Sequence, residues 1–233
     1  MTQRALVGEA GTRRLRAGFR AGAAAALCVM VLAGASPAWA APPRAGRPAA
    51  SVRGFADFNY DWFAAKQSFS AVFGKSTGTF VGGGAQVVFR TGLYVEIGVS
   101  RFQETGQRAY VYGGQAYGLH IPLTARLVPI EFTGGYRFSL TPRLIVYGGG
   151  GLGTTQYTET SQFVSSSQNV STRATSYQVR AGAEYRLARW VGVAGELQYR
   201  RVPGIFGKSG VSQSFGESNL GGTALDVKVI VGR

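Results

Sequence analysis

From residue 51 onward the chain keeps apolar and polar side chains on alternate positions, and nothing else in the sequence constrains the fold as much. Leu93, Val95, Ile97 and Val99 recur every second residue, as do Val191, Val193, Gly195, Leu197 and Tyr199. Tyr177 to Leu187 and Leu225 to Val231 repeat the pattern. A period of two is that of a strand, with successive side chains on opposite faces. Eight such segments can be read, at approximately 51–63, 79–90, 93–103, 121–138, 143–158, 173–187, 190–202 and 221–232. The gaps between them alternate in length. Thr91-Gly92, Ser139 to Pro142 and Ala188-Arg189 are short and carry turn residues. The segments Ala64 to Gly78, Glu104 to His120, Glu159 to Thr172 and Pro203 to Leu220 are long and read as loops.

The charges say what each face is for. Seven acids fall on the parity opposite the apolar one: Asp57, Asp61, Glu96, Glu131, Glu184, Glu196 and Asp226. Seven bases share that parity: Arg53, Arg90, Arg137, Arg180, Arg186, Arg200 and Lys228. The other acids after residue 50, Glu104, Glu159 and Glu217, lie in the long gaps. A water-soluble barrel would turn its apolar face inward and its charges out. A barrel in lipid does the reverse, because a charge facing hydrocarbon costs about 2–4 kcal/mol at mid-membrane. Alternation alone does not choose between the two.

The first forty residues choose. Arg13, Arg14, Arg16 and Arg20 form a basic region, Ala21 to Ala35 an uncharged apolar stretch, and Ala38-Trp39-Ala40 a small-residue cleavage site after Pro37. This pattern predicts a secretory signal peptide over 1–40, cut after Ala40. The apolar stretch is too short for a membrane helix of roughly 20 residues. The residues flanking Arg13-Arg14 match a twin-arginine signal poorly, and Leu27 before Cys28 is too large for lipoprotein processing. With Cys28 removed, no thiol chemistry remains. The +14 net charge of the whole chain would otherwise suggest nucleic acid. Export makes chromosomal DNA a poor partner.

Together these readings predict an all-β protein. It is an eight-stranded, antiparallel, up-and-down transmembrane β-barrel at 51–233, preceded by the cleaved signal peptide and a linker at 41–50. Short turns at one end and long loops at the other fit that architecture. Eight strands enclose a space that side chains just fill, so a plugged lumen is expected, its acids and bases neutralising one another. Arg126 breaks the parity; a bulge at Pro129 would return it to the lumen, and otherwise it lies at the outer rim. Two aromatic belts are expected: Tyr60, Trp62, Phe102, Tyr157, Tyr177 and Tyr199 at the loop end, and Phe89, Phe138, Tyr185 and Trp190 at the turn end.

Residues Gly54 to Tyr60, Leu123 to Phe138 and Gly221 to Arg233 carry a resemblance to the small eight-stranded outer-membrane β-barrel proteins of the OmpA/OmpX type. The chain ends Val231-Gly232-Arg233 where many of those proteins end in Phe or Trp. The resemblance implies the outer membrane of a Gram-negative-type bacterium, a monomer in contact with outer-membrane lipid and lipopolysaccharide, and insertion by the barrel-assembly machinery with periplasmic chaperones. It transfers no catalytic residue. The function expected is structural or surface interaction through four long extracellular loops. A narrow channel for small or hydrophobic solutes is the alternative, and a lipid-modifying enzyme the third reading.

Three motifs are set aside. Gly148 to Gly153 satisfies G-x-G-x-x-G, but Thr154 to Tyr157 continues as strand where a dinucleotide site needs a helix. These glycines, with Gly82 to Gly84, instead leave room for bulky neighbours or let strands bend. His120, the single histidine, has no nucleophile or acid beside it and reads as an interface residue. Asn169-Val170-Ser171 is a glycosylation sequon made uninformative by the export route. No cofactor or metal is expected. Lys66, Lys75, Arg108, Arg173 and Lys208 give the loops a positive bias that would attract lipopolysaccharide, although ordinary solvated loop charge is the simpler reading and is preferred.

Overall fold

Eight strands close on themselves in sequence order, each antiparallel to the next and β8 to β1. The computed structural model describes residues 49–161, 169–206 and 210–232. The expected signal peptide and most of the expected linker lie outside these residues. The strands are β1 (Ala50–Phe63), β2 (Thr77–Phe89), β3 (Leu93–Tyr112), β4 (Gln115–Ser139), β5 (Leu144–Ser161), β6 (Val170–Arg186), β7 (Val191–Arg201) and β8 (Gly222–Gly232). Two helices interrupt them, α1 (Lys66–Phe73) between β1 and β2 and α2 (Gly210–Ser214) between β7 and β8.

The parity divides the barrel into an apolar outside and a charged inside. On β3, Val95, Ile97 and Val99 are 51, 44 and 50% exposed, while Glu96 between them is 4% exposed. On β8, Val227 and Val229 are about half exposed and Lys228 is 2% exposed. A water-soluble barrel has the opposite distribution. Among the described residues no helix is long and apolar enough to cross a membrane; the strands do it.

Two of the expected loops are ordered differently from the sequence reading. Glu104 to His120 is not a loop but the outer part of the β3–β4 hairpin, which continues to a two-residue turn at Gly113-Gly114. Both glycines have positive φ, 60° and 80°, as a type I′ turn requires, and its twist matches that of the flanking strands. The extension has a register shift between Gln107 and Ala109. Near it, His120 is the one non-glycine residue with positive φ among those described. The first long gap contains α1, which ends on Gly74 in the left-handed conformation.

The bulge expected at Pro129 is absent. Val128, Pro129 and Ile130 pair with Gln156, Thr155 and Thr154 without a shift. The pairs Val99–Ile130 and Phe102–Leu127 keep one register on the other side. Proline removes one N–H from the ladder, but its ring faces inward and is fully buried, so no extra residue is needed to accommodate it. Arg126 therefore stays on the outer face, exposed, opposite Gln103 and Thr158.

Inward glycines make room for the largest interior side chains. A methyl group at Gly149 would lie 2.7 Å from Tyr94 Oη, and one at Gly84 2.7 Å from the Phe55 ring. Tyr94, 1% exposed, meets Tyr147 edge-on with ring centroids 6.0 Å apart.

Candidate functional site

The side chains that fill the barrel form two strata, ionic toward the turn end and aromatic toward the loop end. Glu184 on β6 anchors the lowest level. Arg53 on β1 donates to both its oxygens, at 2.8 and 3.0 Å, and Arg137 on β4 donates to Oε2 at 2.5 Å. Both arginines also donate to Gln86 Oε1, whose amide passes the chain upward by donating to Glu96 at 2.9 Å. Bidentate guanidinium–carboxylate pairs of this kind fix geometry as well as charge.

Arg180 occupies the middle. Its guanidinium reaches Glu96 at 2.6 Å, Glu131 at 3.2 Å and Glu196 at 3.4 Å, on β3, β4 and β7. Lys228 on β8 closes the same ring, 2.8 Å from Glu96 and 2.6 Å from Glu196, which also accepts from Tyr147 Oη at 2.7 Å. One level higher, Arg200 donates through Nε to Glu131 at 2.6 Å and lies 3.9 Å from Asp61. Its guanidinium stands 5.5 Å from the Phe80 ring, where charge meets aromatic core.

Not every polar-parity residue joins this network. Arg90 and Arg186 sit at the turn ends of their strands and are exposed. Arg186 only approaches Glu184, at 4.0 Å. The interior thus holds seven acids against five bases, not the equal numbers expected. The other two cations are exposed at the turn-end rim, so parity alone overcounts residues near strand ends. The three aspartates take the looser positions. Asp57 accepts from Asn59 at 2.8 Å, and Asp226 lies 3.8 Å from Lys228.

The upper stratum was missed in the sequence. Phe63, Phe80, Phe102, Leu127, Tyr157, Val202 and Leu220 form one buried cluster. Phe63 stacks on Phe69 of α1 at 3.9 Å and meets Phe102 edge-on at 5.5 Å. Phe102 and Tyr157, 2% and 6% exposed, are therefore interior residues and not members of an interfacial belt. Counting by twos from Glu96 reaches Phe102 on the inward face, which was the available signal. The remaining belt residues do face outward: Tyr60, Trp62, Tyr177 and Tyr199 at the loop end, Phe89, Phe138, Tyr185 and Trp190 at the turn end.

Helix α1 is held over this cluster by a residue from the β7–β8 connection. Glu217 accepts the N–H groups of Gln67 at 2.9 Å and Ser68 at 2.8 Å. A carboxylate there satisfies orphan donors and complements the helix dipole. Glu217→Ala is expected to destabilise the docked helix by about 1 kcal/mol, seen as faster proteolytic cleavage within 66–73 in the folded protein. An unchanged cleavage rate would show that Phe69 packing alone holds α1.

Above the plug lies a cavity of about 320 Å³ at the loop end, lined by Phe69, Phe73, Leu123, Tyr157, Phe206 and Arg108 among others. Lower in the lumen, two cavities lined by network and plug residues measure about 20 and 10 Å³. His120 is exposed on the projecting hairpin. Gly148 to Gly153 run within β5, with no helix following. Lys75 pairs with Glu104 at 3.0 Å, Arg173 lies on the outer face of β6, and Lys208 and part of the β5–β6 connection are outside the described residues.

Residues 24–229 match the family described as outer membrane protein beta-barrel domain. Among solved structures, a major outer membrane protein from Thermus thermophilus is similar, with a TM-score of 0.51 at 12% identity, over 78% of this chain and 99% of that one. Neisserial surface protein A gives 0.49 at 13% identity, over 79% and 97%. Ail, the attachment invasion locus protein of Yersinia pestis, gives 0.41 at 13% identity, over 78% and 97%. The comparison with curated proteins gives no match.

Proposed function

The chain belongs to the outer membrane protein beta-barrel domain family, and from that premise we propose that it is a sealed barrel acting at its loop end by surface interaction, without transport or catalysis. It is an integral protein of the Gram-negative outer membrane. The observation that carries the proposal is the filled lumen. Ion pairs join β1 to β6, β3 to β6, β3 to β8 and β4 to β7 across the interior. An aromatic plug then covers them. The two cavities at the network level, about 20 and 10 Å³, have room for about one water molecule each and no more, so this reading leaves no continuous path for solutes.

The loop end is where the chain spends its extra length. The β3–β4 hairpin, α1 and the β7–β8 connection rise from a rigid scaffold, the usual platform for recognition. We place this end outside the cell and the short turns in the periplasm. Of the fourteen parity-selected charges, the twelve inside the barrel have a structural role in this reading, Arg90 and Arg186 lie exposed at the turn end, and His120 is a surface residue. The barrel acts as a monomer, inserted by the assembly machinery with periplasmic chaperones and surrounded by lipid and lipopolysaccharide.

Protease treatment of intact cells, paired with planar-bilayer recording of the purified protein, tests this. Cuts confined to 64–76, 104–120, 162–169 and 203–220, with no steady single-channel current, are the expected result. Cleavage at 90–92, 140–143 or 187–190 in intact cells would reverse the orientation. Discrete conductance steps would replace the sealed barrel with the channel reading.

A further inference from the structure

The apolar belt ends in arginine on four strands. Along β3 toward the loop end, the outward residues are Leu93, Val95, Ile97 and Val99, and the next is Arg101. On β4 they run Phe132, Ile130, Val128 and then Arg126. On β7, Leu197 and Tyr199 precede Arg201. On β6, Val179 and Tyr177 are followed by Thr175 and Arg173. All four arginines are exposed, and none belongs to an ion pair among the described residues. Every acid on the described strands has the opposite, inward parity. The cations at the turn end differ, since Arg143 and Arg189 lie in the turns and not on the outward strand face.

The register brings three of these arginines onto one side of the barrel. Arg126 faces Gln103, which places Arg101 and Arg126 on diagonal positions of adjacent strands, about 7–8 Å apart at the backbone. Arg126 also faces Thr158, and Arg173 faces Gln156 two positions along β5. Arg173 is thus two strands from Arg126, with strands about 4.8 Å apart. Like charges at such spacing repel unless an anion lies between them. Guanidinium groups pair in bidentate fashion with phosphate. Beside and between the arginines stand Gln103, Gln156 and Thr158, neutral donors and acceptors suited to sugar hydroxyls, Gln103 already accepting from Arg101 through its Oε1; Thr124, bonded to Thr105, stands one pair further toward the loop end.

The patch opens sideways, at the level where hydrocarbon gives way to headgroups. We infer that Arg101, Arg126 and Arg173 form a lateral site for the phosphate of a phosphorylated glycolipid in the outer leaflet. The leaflet assignment rests on the orientation proposed above; the anion site does not. Thr124, Gln156 and Thr158 meet the sugar, and the acyl chains lie along Ile130, Val128 and Leu152 below.

The test uses the full-length folded barrel in detergent micelles and the triple variant R101Q/R126Q/R173Q, with binding read by titration. The probes are bisphosphorylated lipid A, the same lipid with its phosphates removed, and inorganic phosphate. Wild-type protein is expected to bind the phosphorylated lipid at least about tenfold more tightly than the triple variant, and more tightly than it binds the dephosphorylated lipid. Inorganic phosphate should bind far more weakly. The control R143Q/R189Q, at the turns, should match wild type; an equal loss there would reduce the effect to net charge and overturn the site. Equal binding by wild type and triple variant would also overturn it, as would indifference to dephosphorylation. Inorganic phosphate binding as tightly as the lipid would remove the glycolipid assignment. A reversed barrel in the protease experiment, with the micelle result intact, would remove the outer leaflet while leaving the anion site. The variants replace exposed side chains, and unchanged heat-modifiable migration on gels verifies their folding.

Discussion

Arg180→Met is expected to destabilise the folded barrel by about 3–5 kcal/mol, because removing one partner of a buried ion pair leaves the other charge uncompensated. Here the loss is compounded. Arg180 is the common partner of Glu96, Glu131 and Glu196, each 8% exposed or less. Lys228 would remain beside Glu96 and Glu196, and Arg200 beside Glu131. Those two cations would face three carboxylates that shared a third. The change is measured by urea unfolding in lipid vesicles, following the loss of heat-modifiable migration. Met keeps most of the side-chain volume, so packing loss is a minor part. Adding Glu96→Gln to Arg180→Met should recover part of the deficit by removing one stranded carboxylate. A single variant as stable as wild type would mean that the lumen charges are solvated and that the barrel is not sealed.

Phe102→Ala is expected to destabilise by about 3–5 kcal/mol, the usual range for emptying an aromatic site in a core. Phe102 is 2% exposed and lies between Phe63, Phe80 and Phe69, with ring centroids at 5.5, 5.2 and 6.4 Å. Its removal opens space directly beneath α1, so the helix loses support together with the plug. Urea unfolding measures the stability, and cleavage within 66–73 reports the helix. Phe102→Leu should cost much less because it retains most of the apolar volume. Were Phe102→Ala neutral, the upper stratum would be a loose cap and the ionic network alone would hold the barrel.

Residues near one another in sequence disclosed a good deal of this structure. Glu96 between Val95 and Ile97, or Lys228 between Val227 and Val229, already separates the two faces, because strand geometry sends neighbouring side chains in opposite directions. The short connections at Thr91-Gly92 and Ala188-Arg189 were equally legible as turns. The same local logic failed where a global feature intervened. Pro129 read as a bulge, yet its ring packs inward without shifting register. Arg90 and Arg186 have the parity of the lumen, but the strand ends before the barrel can bury them. Phe102 and Tyr157 read as belt aromatics because their composition suited an interface, although parity placed Phe102 inside.

The alternation of residues along 51–233 by itself determined eight strands, a charged face and an apolar face, since each depends on a backbone period that neighbouring residues share. Closure of the barrel decided which charges meet. Glu184 finds Arg53 131 positions away, and Glu217 caps a helix 149 positions away, through a circumference and stagger set by all eight strands together. Such contacts have no period along the chain, because their cause is the distance across the lumen and not the distance along the backbone.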